Sequence, residues 1–237
     1  MDPGAITSVD TIVLCGGLGT RLRSAVPDRP KGLAEIGGRP FLDILISHLL
    51  AQGLHRFILC TGYGSDQIVS RYGPRMDAEF VFSVEQRPLG TGGAITKALP
   101  SIRSDPFVVL NGDSLCAVNY RDLLAYHNSQ GALLTIVGSA PDERSDVGAI
   151  LADANGAVLD FSEKRGRVEA SRYVNAGIYV MARSIIVDAN LQAPFSLEQG
   201  LVPFVTGLRR CFVYAANGPV IDIGTPERFA AAQTLLR

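Results

Sequence analysis

Residues suited to phosphate chemistry lie directly after the first apolar run of this 237-residue chain. The run at 11–15 (TIVLC) predicts a strand, and three glycines follow it within 16–21 (GGLGTR). Glycine lets backbone amide groups approach an anion closely. Arg21 adds a planar, always-charged fork of donors, and Lys31 follows Pro30, whose fixed φ restricts the backbone beside it. Two cations and a row of amides on one loop favour binding of a triphosphate. They would also stabilise the negative charge that develops on it during a reaction.

The glycine pattern excludes two common nucleotide-binding loops. No G-K-[ST] sequence follows, so the segment is not a P-loop. The spacing is not G-x-G-x-x-G, and Pro27 and Pro30 interrupt any long helix, so it is not a dinucleotide fingerprint. Alone, the glycines would equally fit a tight strand-to-loop connection. The phosphate interpretation therefore depends on their combination with Arg21 and Lys31.

Two aspartates are candidate metal ligands. Asp113 follows the apolar run 107–110 (FVVL), and open α/β sheets bind ligands at the carboxyl ends of such strands. Asp222 follows PVI and precedes IGTPE. Two carboxylates with phosphate oxygens and water would form a Mg²⁺ site. Either residue alone would equally be a cap or turn residue, and Thr225 with Pro226 predicts a helix start in the same segment.

Short apolar runs alternate with amphipathic segments along the chain. The runs predict strands at 11–15, 56–61, 79–83, 107–110, 132–138, 147–151, 157–161, 174–181 and 210–214. The amphipathic segments predict helices at 41–52, 65–72, 92–99, 120–129, 183–188, 196–203 and 226–236.

The order of these elements predicts an α/β sandwich around a mixed, mostly parallel sheet. Strands and helices alternate through the first half of the chain. Fully apolar strands such as 107–110 fit a sheet that is covered on both faces. Consecutive strands within 147–181, with a turn at 153–156 (DANG), predict an antiparallel hairpin inserted into the sheet. No linker or repeat divides the chain, so we expect a single domain over 1–237.

The composition and net charge of the chain limit the kinds of partner that it can bind. Hydrophobic residues make up 47% of the chain and charged residues 19%, which is typical of a globular protein. A net charge of −1 gives no global attraction to nucleic acid or anionic membrane, so any phosphate site must be local. The start of the chain lacks the regions of a signal peptide, and we expect a cytoplasmic protein. Four cysteines without a C-x-x-C pair predict buried thiols, and three scattered histidines predict packing or surface roles.

In sequence, the chain resembles the sugar-1-phosphate nucleotidyltransferases. GGLGTRL followed by RPKGLAEIGGRP matches the signature of that family. Further motifs occur in the family's order: LGTGGAI (89–95) resembles its base-binding loop, and LNGDS (110–114) resembles its metal-binding strand end. FSEK (161–164) and NAGIY (175–179) resemble its sugar-phosphate site, and DIGTPE (222–227) resembles its second metal segment. The resemblance covers nearly the whole chain.

The chain departs from the family's usual pattern in two places. Cys15 stands where alanine is usual, and Gly32-Leu33 replaces a Pro-Met type of pair. Among the branches of the family, it most resembles the D-glycero-α-D-manno-heptose-1-phosphate guanylyltransferases. NGDS, FSLEQGLVP (195–203) and IDIGTPERF carry that finer resemblance.

The resemblance implies a role for each residue that matches a motif. The catalytic residues would be Arg21 and Lys31, and the metal ligands Asp113 and Asp222. The nucleotide-binding residues would be Leu14, Gly16, Gly17, Gly19, Thr20, Gln86, Gly90, Thr91 and Gly112. The sugar-phosphate-binding residues would be Gly148, Glu163, Lys164 and Asn175.

The family's fold and reaction become expectations for this chain. The fold would be the Rossmann-like nucleotide-diphospho-sugar transferase sandwich, with a nucleotide-binding half at about 10–130 and a sugar-phosphate-binding half at about 131–237. With Mg²⁺, a nucleoside triphosphate and a sugar 1-phosphate would yield a nucleotide-sugar and pyrophosphate, and GTP with a heptose 1-phosphate or related sugar or cyclitol phosphate is favoured. Another nucleotide with a hexose 1-phosphate, a glycosyltransferase and a non-catalytic regulatory subunit stay open as alternatives. The oligomeric state also stays open, a homodimer included.

Overall fold

The computed structural model describes residues 6–141, 148–162, 173–216 and 218–236. Its strands are Asp10–Leu14 (β1), Glu35–Ile36 (β2), Arg39–Pro40 (β3), Arg56–Thr61 (β4), Glu79–Val84 (β5), Phe107–Asn111 (β6), Ser114–Cys116 (β7), Leu134–Ser139 (β8), Ala149–Ala152 (β9), Val158–Ser162 (β10), Tyr173–Met181 (β11), Cys211–Ala215 (β12) and Val220–Asp222 (β13). Its α-helices are Phe41–Ala51 (α1), Ser65–Tyr72 (α2), Gly90–Ala98 (α3), Tyr120–Ser129 (α4), Ser184–Ala189 (α5), Val202–Gly207 (α6) and Pro226–Leu235 (α7).

One mixed sheet organises the described residues. Along it the strands follow the order β10-β9-β11-β6-β1-β4-β5, and β8 joins β11 to β12. Strands β6, β1, β4 and β5 are parallel neighbours, and β11 runs antiparallel to β6. The predicted mixed, mostly parallel sheet is therefore confirmed.

Helices cover both faces of the sheet because neighbouring residues of each strand point to opposite sides. On β1, Val13 packs in a core with side chains of α1, α2, α4 and α7. Its neighbour Ile12 packs in a second core with side chains of α3, α5 and α6. Strands that are apolar at every position, such as β6, are explained by this double cover. The predicted α/β sandwich is confirmed.

The predicted hairpin is present, and it lies at the edge of the sheet. Strand β9 pairs with β11, and β10 is the outer strand. Its turn is built on Asp153, whose Oδ1 accepts hydrogen bonds from the N–H groups of Asn155 (2.8 Å) and Ala157 (2.9 Å). Aspartate commonly forms such turns, because its side chain accepts hydrogen bonds from backbone N–H groups that follow it in the chain.

One other expectation is confirmed and one is modified. The cysteines are buried free thiols. No helix within the described ranges combines the length and apolarity needed to cross a membrane. The predicted helix at 196–203 is instead a π-helical turn, Leu197–Leu201, that leads into α6.

A buried ion pair fixes the end of the sheet where β1 and β4 begin. Asp10 is fully buried and accepts hydrogen bonds from Arg56, from the Arg103 N–H and from the Ser104 N–H, the last at 2.7 Å. The carboxylate therefore joins β1 and β4 to the turn that precedes β6.

We expect Asp10→Ala to lower the free energy of unfolding by about 3–5 kcal/mol, because it removes the buried carboxylate that pairs with Arg56 and accepts two backbone N–H groups. Arg56 keeps its 3.0 Å ion pair with Glu79. Urea denaturation measures this loss. Arg103→Gln is the matched control, since it breaks only the exposed 3.1 Å ion pair of Arg103 with Glu79 and should cost less than about 1 kcal/mol. Equal losses in the two variants would contradict the structural role of Asp10.

Candidate functional site

The glycine-rich loop is held at its start by both neighbouring strands. Strand β1 lies between β4 and β6, with Leu14 opposite Cys60 on one side and Asn111 on the other. The Cys15 N–H donates to the Cys60 carbonyl (2.9 Å), and the Gly112 N–H donates to the Leu14 carbonyl (2.9 Å). The loop therefore leaves the sheet in a fixed direction, beside the end of β6.

A second loop, residues 62–64, supports the glycine-rich loop at both ends. A Cβ atom on Gly62 would lie 2.8 Å from the Gly16 carbonyl oxygen, and one on Gly64 would lie 2.6 Å from the Pro30 ring. The two loops thus pack backbone to backbone where they meet. This contact sets the positions of Gly16 and of the residue that precedes Lys31.

Lys31 connects the glycine-rich loop to the end of β6. Its Nζ donates to Asp113 Oδ2, and the Ser114 hydroxyl donates to the other carboxylate oxygen at 3.0 Å. The Lys31 side chain is only 14% exposed. Gly19 lies against the same lysine, because a Cβ there would be 3.2 Å from Lys31 Cβ. The structure therefore brings together a cation and a carboxylate that lie far apart in the sequence.

Strand pairing places the second aspartate next to the first. Asp222 of β13 lies opposite Ser114 of β7, and the Ile223 N–H donates to the Asp113 carbonyl at 3.0 Å. The Gly224 N–H donates to Asp222 Oδ1 at 2.8 Å and fixes that carboxylate. The two predicted metal ligands therefore lie at neighbouring positions, Asp222 at the end of β13 and Asp113 directly before the paired strand β7.

Helix α7 begins as the sequence predicts. Thr225 is the N-cap residue and accepts the Arg228 N–H at 3.4 Å, and Pro226 takes the first helical position. The side chain of Arg228 turns back to Asp222, with Nη1 at 3.2 and 3.4 Å from the two carboxylate oxygens. The sequence did not predict this arginine as part of the site.

A cavity of about 460 Å³ opens between the glycine-rich loop and the start of α3. Glu85 lines it, whereas the predicted residue Gln86 is exposed. The chain stays extended after β5, so alternate side chains face alternate sides, and Glu85 shares the inward side with the buried Ser83. Burial raises the pKa of Glu85, while the Leu89 N–H, 3.1 Å from its carboxylate, and the charge of Lys97 lower it in part.

At the start of α3 the Thr91 side chain lines this cavity, while two backbone N–H groups donate hydrogen bonds to another part of the protein. The N–H groups of Gly92 and Gly93 donate to the Phe195 carbonyl, at 3.1 and 3.3 Å. Gly90 has φ +73°, and a Cβ there would lie 2.3 Å from the same oxygen. The N–H groups of Gly92 and Gly93 are therefore already paired with Phe195, and Thr91 is the polar side chain that α3 places at the cavity wall.

A chain of hydrogen bonds connects Thr91 to Asn175. Thr91 Oγ1 donates to Glu198 Oε2 (3.0 Å), and the Tyr179 hydroxyl donates to Glu198 Oε1 (2.9 Å). Asn175 Nδ2 then donates to the Tyr179 hydroxyl at 2.7 Å. The Gly177 N–H donates to Asn175 Oδ1 at 2.9 Å and fixes the amide. One network thus joins two regions that the sequence assigned to different substrates.

A second cavity lies on the other side of Asp113. Gly148, Phe161 and Asn175 line it, and a Cβ on Gly148 would lie 2.6 Å from the Phe161 ring. The predicted residues Glu163 and Lys164 lie outside the described residues. Asp146, two residues before Gly148 in the sequence, lies outside them as well.

The cavities meet at Asp113, and Asp222 lines the second of them. Asn111, Asp113 and Glu198 line both the first and the second cavity. Arg21 and Lys31 line the second cavity and also a third one, which runs along the glycine-rich loop. The predicted residues that the structure places on these three cavities are Leu14, Gly16, Gly17, Gly19, Thr20, Arg21, Lys31, Gly90, Thr91, Gly112, Asp113, Gly148, Asn175 and Asp222.

Sequence reasoning missed three charged side chains on these walls: Glu85, Glu198 and Arg228. The alternation that continues past β5 was a usable signal for Glu85. Ser196 caps the turn that carries Glu198, so the FSLE segment held a recognisable helix start. The contact of Arg228 with Asp222 depends on how the chain turns between them.

The family model for "Nucleotidyl transferase" matches residues 10–209 of the chain. The chain belongs to the nucleotidyl transferase family. It is 34% identical to a D-glycero-alpha-D-manno-heptose 1-phosphate guanylyltransferase of Aneurinibacillus thermoaerophilus, and the match covers 97% of this chain and 99% of the relative. It is 31% identical to a mannose-1-phosphate guanylyltransferase catalytic subunit beta of Drosophila melanogaster, over 99% of this chain and 64% of that longer protein.

Solved structures agree with this nucleotidyl transferase assignment. HddC from Yersinia pseudotuberculosis complexed with GMP-PN has a TM-score of 0.82 and 34% identity, covering 97% of this chain and all of that one. A thymidylyltransferase from Bacillus anthracis, described as putative in its own name, has a TM-score of 0.85 at 19% identity, which shows a common fold.

Proposed function

We propose that this nucleotidyl transferase converts GTP and a sugar 1-phosphate to a GDP-sugar and pyrophosphate. The observation that carries the proposal is the meeting of three cavities at Asp113, with Asp222 on the wall of the second cavity and with Lys31 and Arg21 on the walls of the second and third. A phosphate oxygen of the sugar would attack the α-phosphorus of GTP in line. That oxygen is already an anion, so the reaction needs positioning and charge stabilisation rather than a general base.

The glycine-rich loop would hold the departing end of the triphosphate. Its backbone amides suit the β- and γ-phosphates, and Arg21 would neutralise the pyrophosphate as it leaves. Lys31 lies between the phosphate and sugar cavities and would reach toward the α-phosphate. A cation in that position also screens the repulsion between the two reacting anions.

Asp113 and Asp222 would hold Mg²⁺. These neighbouring carboxylates supply the hard oxygen ligands that Mg²⁺ prefers, and phosphate oxygens and water would complete its shell. Bound Mg²⁺ would supply charge neutralisation at the phosphates.

The carboxylate of Glu85 favours guanine as the base. Guanine presents two neighbouring N–H donors, at N1 and at the 2-amino group, and a carboxylate offers two acceptors. The guanylyltransferase names of the relatives and the GMP-PN complex of HddC support the same choice. Thr91, Gly90, Gly16, Gly17 and Leu14 would enclose the nucleoside.

The sugar phosphate would occupy the second cavity. Asn175 and Gly148 would contact the sugar, and Lys164 with Glu163 would bind its phosphate and hydroxyl groups. We favour a heptose 1-phosphate, from the relative that matches along nearly its whole length, with mannose 1-phosphate as the alternative. We further propose that 1–237 works as one catalytic domain in the cytoplasm, since its free thiols suit a reducing compartment, and as a homodimer.

A substrate survey tests the proposal. The protein is incubated with Mg²⁺, each of ATP, GTP, CTP, UTP and dTTP, and each of D-glycero-α-D-manno-heptose, mannose and glucose 1-phosphates. We expect pyrophosphate release to be fastest with GTP and to require the sugar phosphate. Sugar transfer from GDP-mannose to an acceptor without pyrophosphate chemistry would instead indicate a glycosyltransferase. No turnover with any pair would indicate a regulatory protein.

Arg21→Ala and Lys31→Ala are each expected to lower kcat about 10²–10³-fold, because each removes a preorganised donor to developing charge. Arg21→Lys should recover only part of the loss, since an ammonium group lacks the two-pronged contact. Steady-state kinetics with saturating substrates measures the effect. Arg23→Ala is the control, because Arg23 lies on the same loop and stacks on Tyr63, 4.9 Å from its ring centroid. Wild-type kcat with only a raised KM for nucleotide would show that Arg21 and Lys31 bind without contributing to catalysis.

Glu85→Gln should lower kcat/KM for GTP about 10–100-fold, because one of two acceptors to guanine becomes a donor. The same amide matches the acceptor and donor pattern of uracil, so the ratio of UTP to GTP use should rise. Gln86→Glu, a charge change at the exposed neighbour, is the control and should leave the ratio unchanged. A preference for GTP that survives Glu85→Gln would contradict the role of this residue.

A further inference from the structure

Arg228 is an additional cation on the sugar side of the site. It lines the second cavity together with Gly148 and Asn175. Arg21 and Lys31 also line the cavity along the glycine-rich loop, whereas Arg228 lines the sugar side. Its position therefore favours an anion that enters with the sugar over the triphosphate.

The geometry around Gly224 shows that Arg228 and Lys31 face a common gap. The point where a Cβ on Gly224 would stand lies 3.5 Å from Arg228 Nη1 and 3.6 Å from Lys31 Nζ. The same point lies 2.8 Å from Asp222 Oδ1. A glycine thus leaves space between two cations and a carboxylate, next to the cavity that would receive the sugar phosphate.

The fold holds Arg228 in place for such a contact. Thr225 and Pro226 fix the first turn of α7, and Asp222 holds the guanidinium through Nη1. The Arg228 side chain is 25% exposed, and that of Asp222 is 10% exposed, so the pair is partly shielded from solvent. A guanidinium has five N–H donors, so one that contacts a carboxylate can also bind a phosphate.

We propose that Arg228 binds the phosphate group of the sugar 1-phosphate. The inference rests on the function proposed above and adds a residue that the motifs did not assign. Together with Lys31, Arg228 holds that phosphate from the side opposite the nucleotide, and its loss weakens binding of the sugar phosphate far more than binding of the triphosphate.

Product binding provides a test without turnover. In a GDP-sugar, the β-phosphate is the one that entered with the sugar. Calorimetric titrations with GDP-mannose and with a non-hydrolysable GTP analogue, without pyrophosphate, compare wild type, Arg228→Gln and Arg228→Lys. We expect Arg228→Gln to bind GDP-mannose about 10–100-fold more weakly, as for a lost charge-assisted hydrogen bond, and to bind the analogue within about threefold of wild type. Arg228→Lys should retain part of the affinity.

Controls separate this role from others. Arg121→Gln removes the same charge from an exposed position on α4 and should bind both ligands like wild type. Each titration is run with Mg²⁺ and with EDTA, because an arginine that only positions Asp222 would affect binding through the metal. A loss of GDP-mannose affinity that disappears in EDTA overturns the proposal, as does an equal loss for both ligands or no loss.

The experiments distinguish an error in the proposed function from an error in the role of Arg228. If wild type binds neither ligand and the substrate survey gives no product, the guanylyltransferase assignment is wrong. If wild type binds both and Arg228→Gln binds GDP-mannose equally well, only the role of Arg228 is wrong. Thermal unfolding of each variant confirms that a change in affinity is measured on folded protein.

Discussion

The parallel pairing of β1 with β6 is the constraint on which the site depends. Register places Leu14 beside Asn111, so the glycine-rich loop and the segment 111–113 leave the sheet at the same edge. Strand β11 pairs antiparallel to β6 and carries Asn175 to that edge. The glycine-rich loop, Asp113 and Asn175 are therefore adjacent.

Charge is balanced locally within this arrangement. Lys31 pairs with Asp113 and Arg228 pairs with Asp222, so each carboxylate already has a cationic partner. Substrate and metal binding would then redistribute contacts among charges that are already positioned, and little reorganisation is needed when charge develops. The near-zero net charge of the chain agrees with this pairing of opposite charges within the site.

Much of the fold follows from apolar periodicity, because the larger strands and helices bury long apolar segments. The short strands β7 and β13 were not predicted, since three-residue strands carry little pattern and form by pairing with distant segments. The site was predictable where a motif fixes local geometry, as at 16–21 and at the Thr225 cap. It was not predictable where side-chain direction decides, as with Glu85 instead of Gln86, or where the tertiary path decides, as with Arg228. The glycines of α3 show a further limit, because a glycine needed for packing against Phe195 looks the same in sequence as one that binds a ligand.

Glu198 forms part of the walls of both the nucleotide-side and the sugar-side cavities, and hydroxyl groups from each side hold its two oxygens. If the Glu198 carboxylate rotates to contact a ligand in one cavity, the oxygen that it offers as an acceptor in the other cavity also moves. Binding in the two proposed substrate cavities would therefore be linked through one side chain. Thermodynamic linkage is reciprocal, so any factor by which the first ligand changes the affinity for the second applies equally in the reverse direction. If both substrates bind as proposed, the π-helical turn that carries Glu198 is the place in the fold that would set the order of their entry.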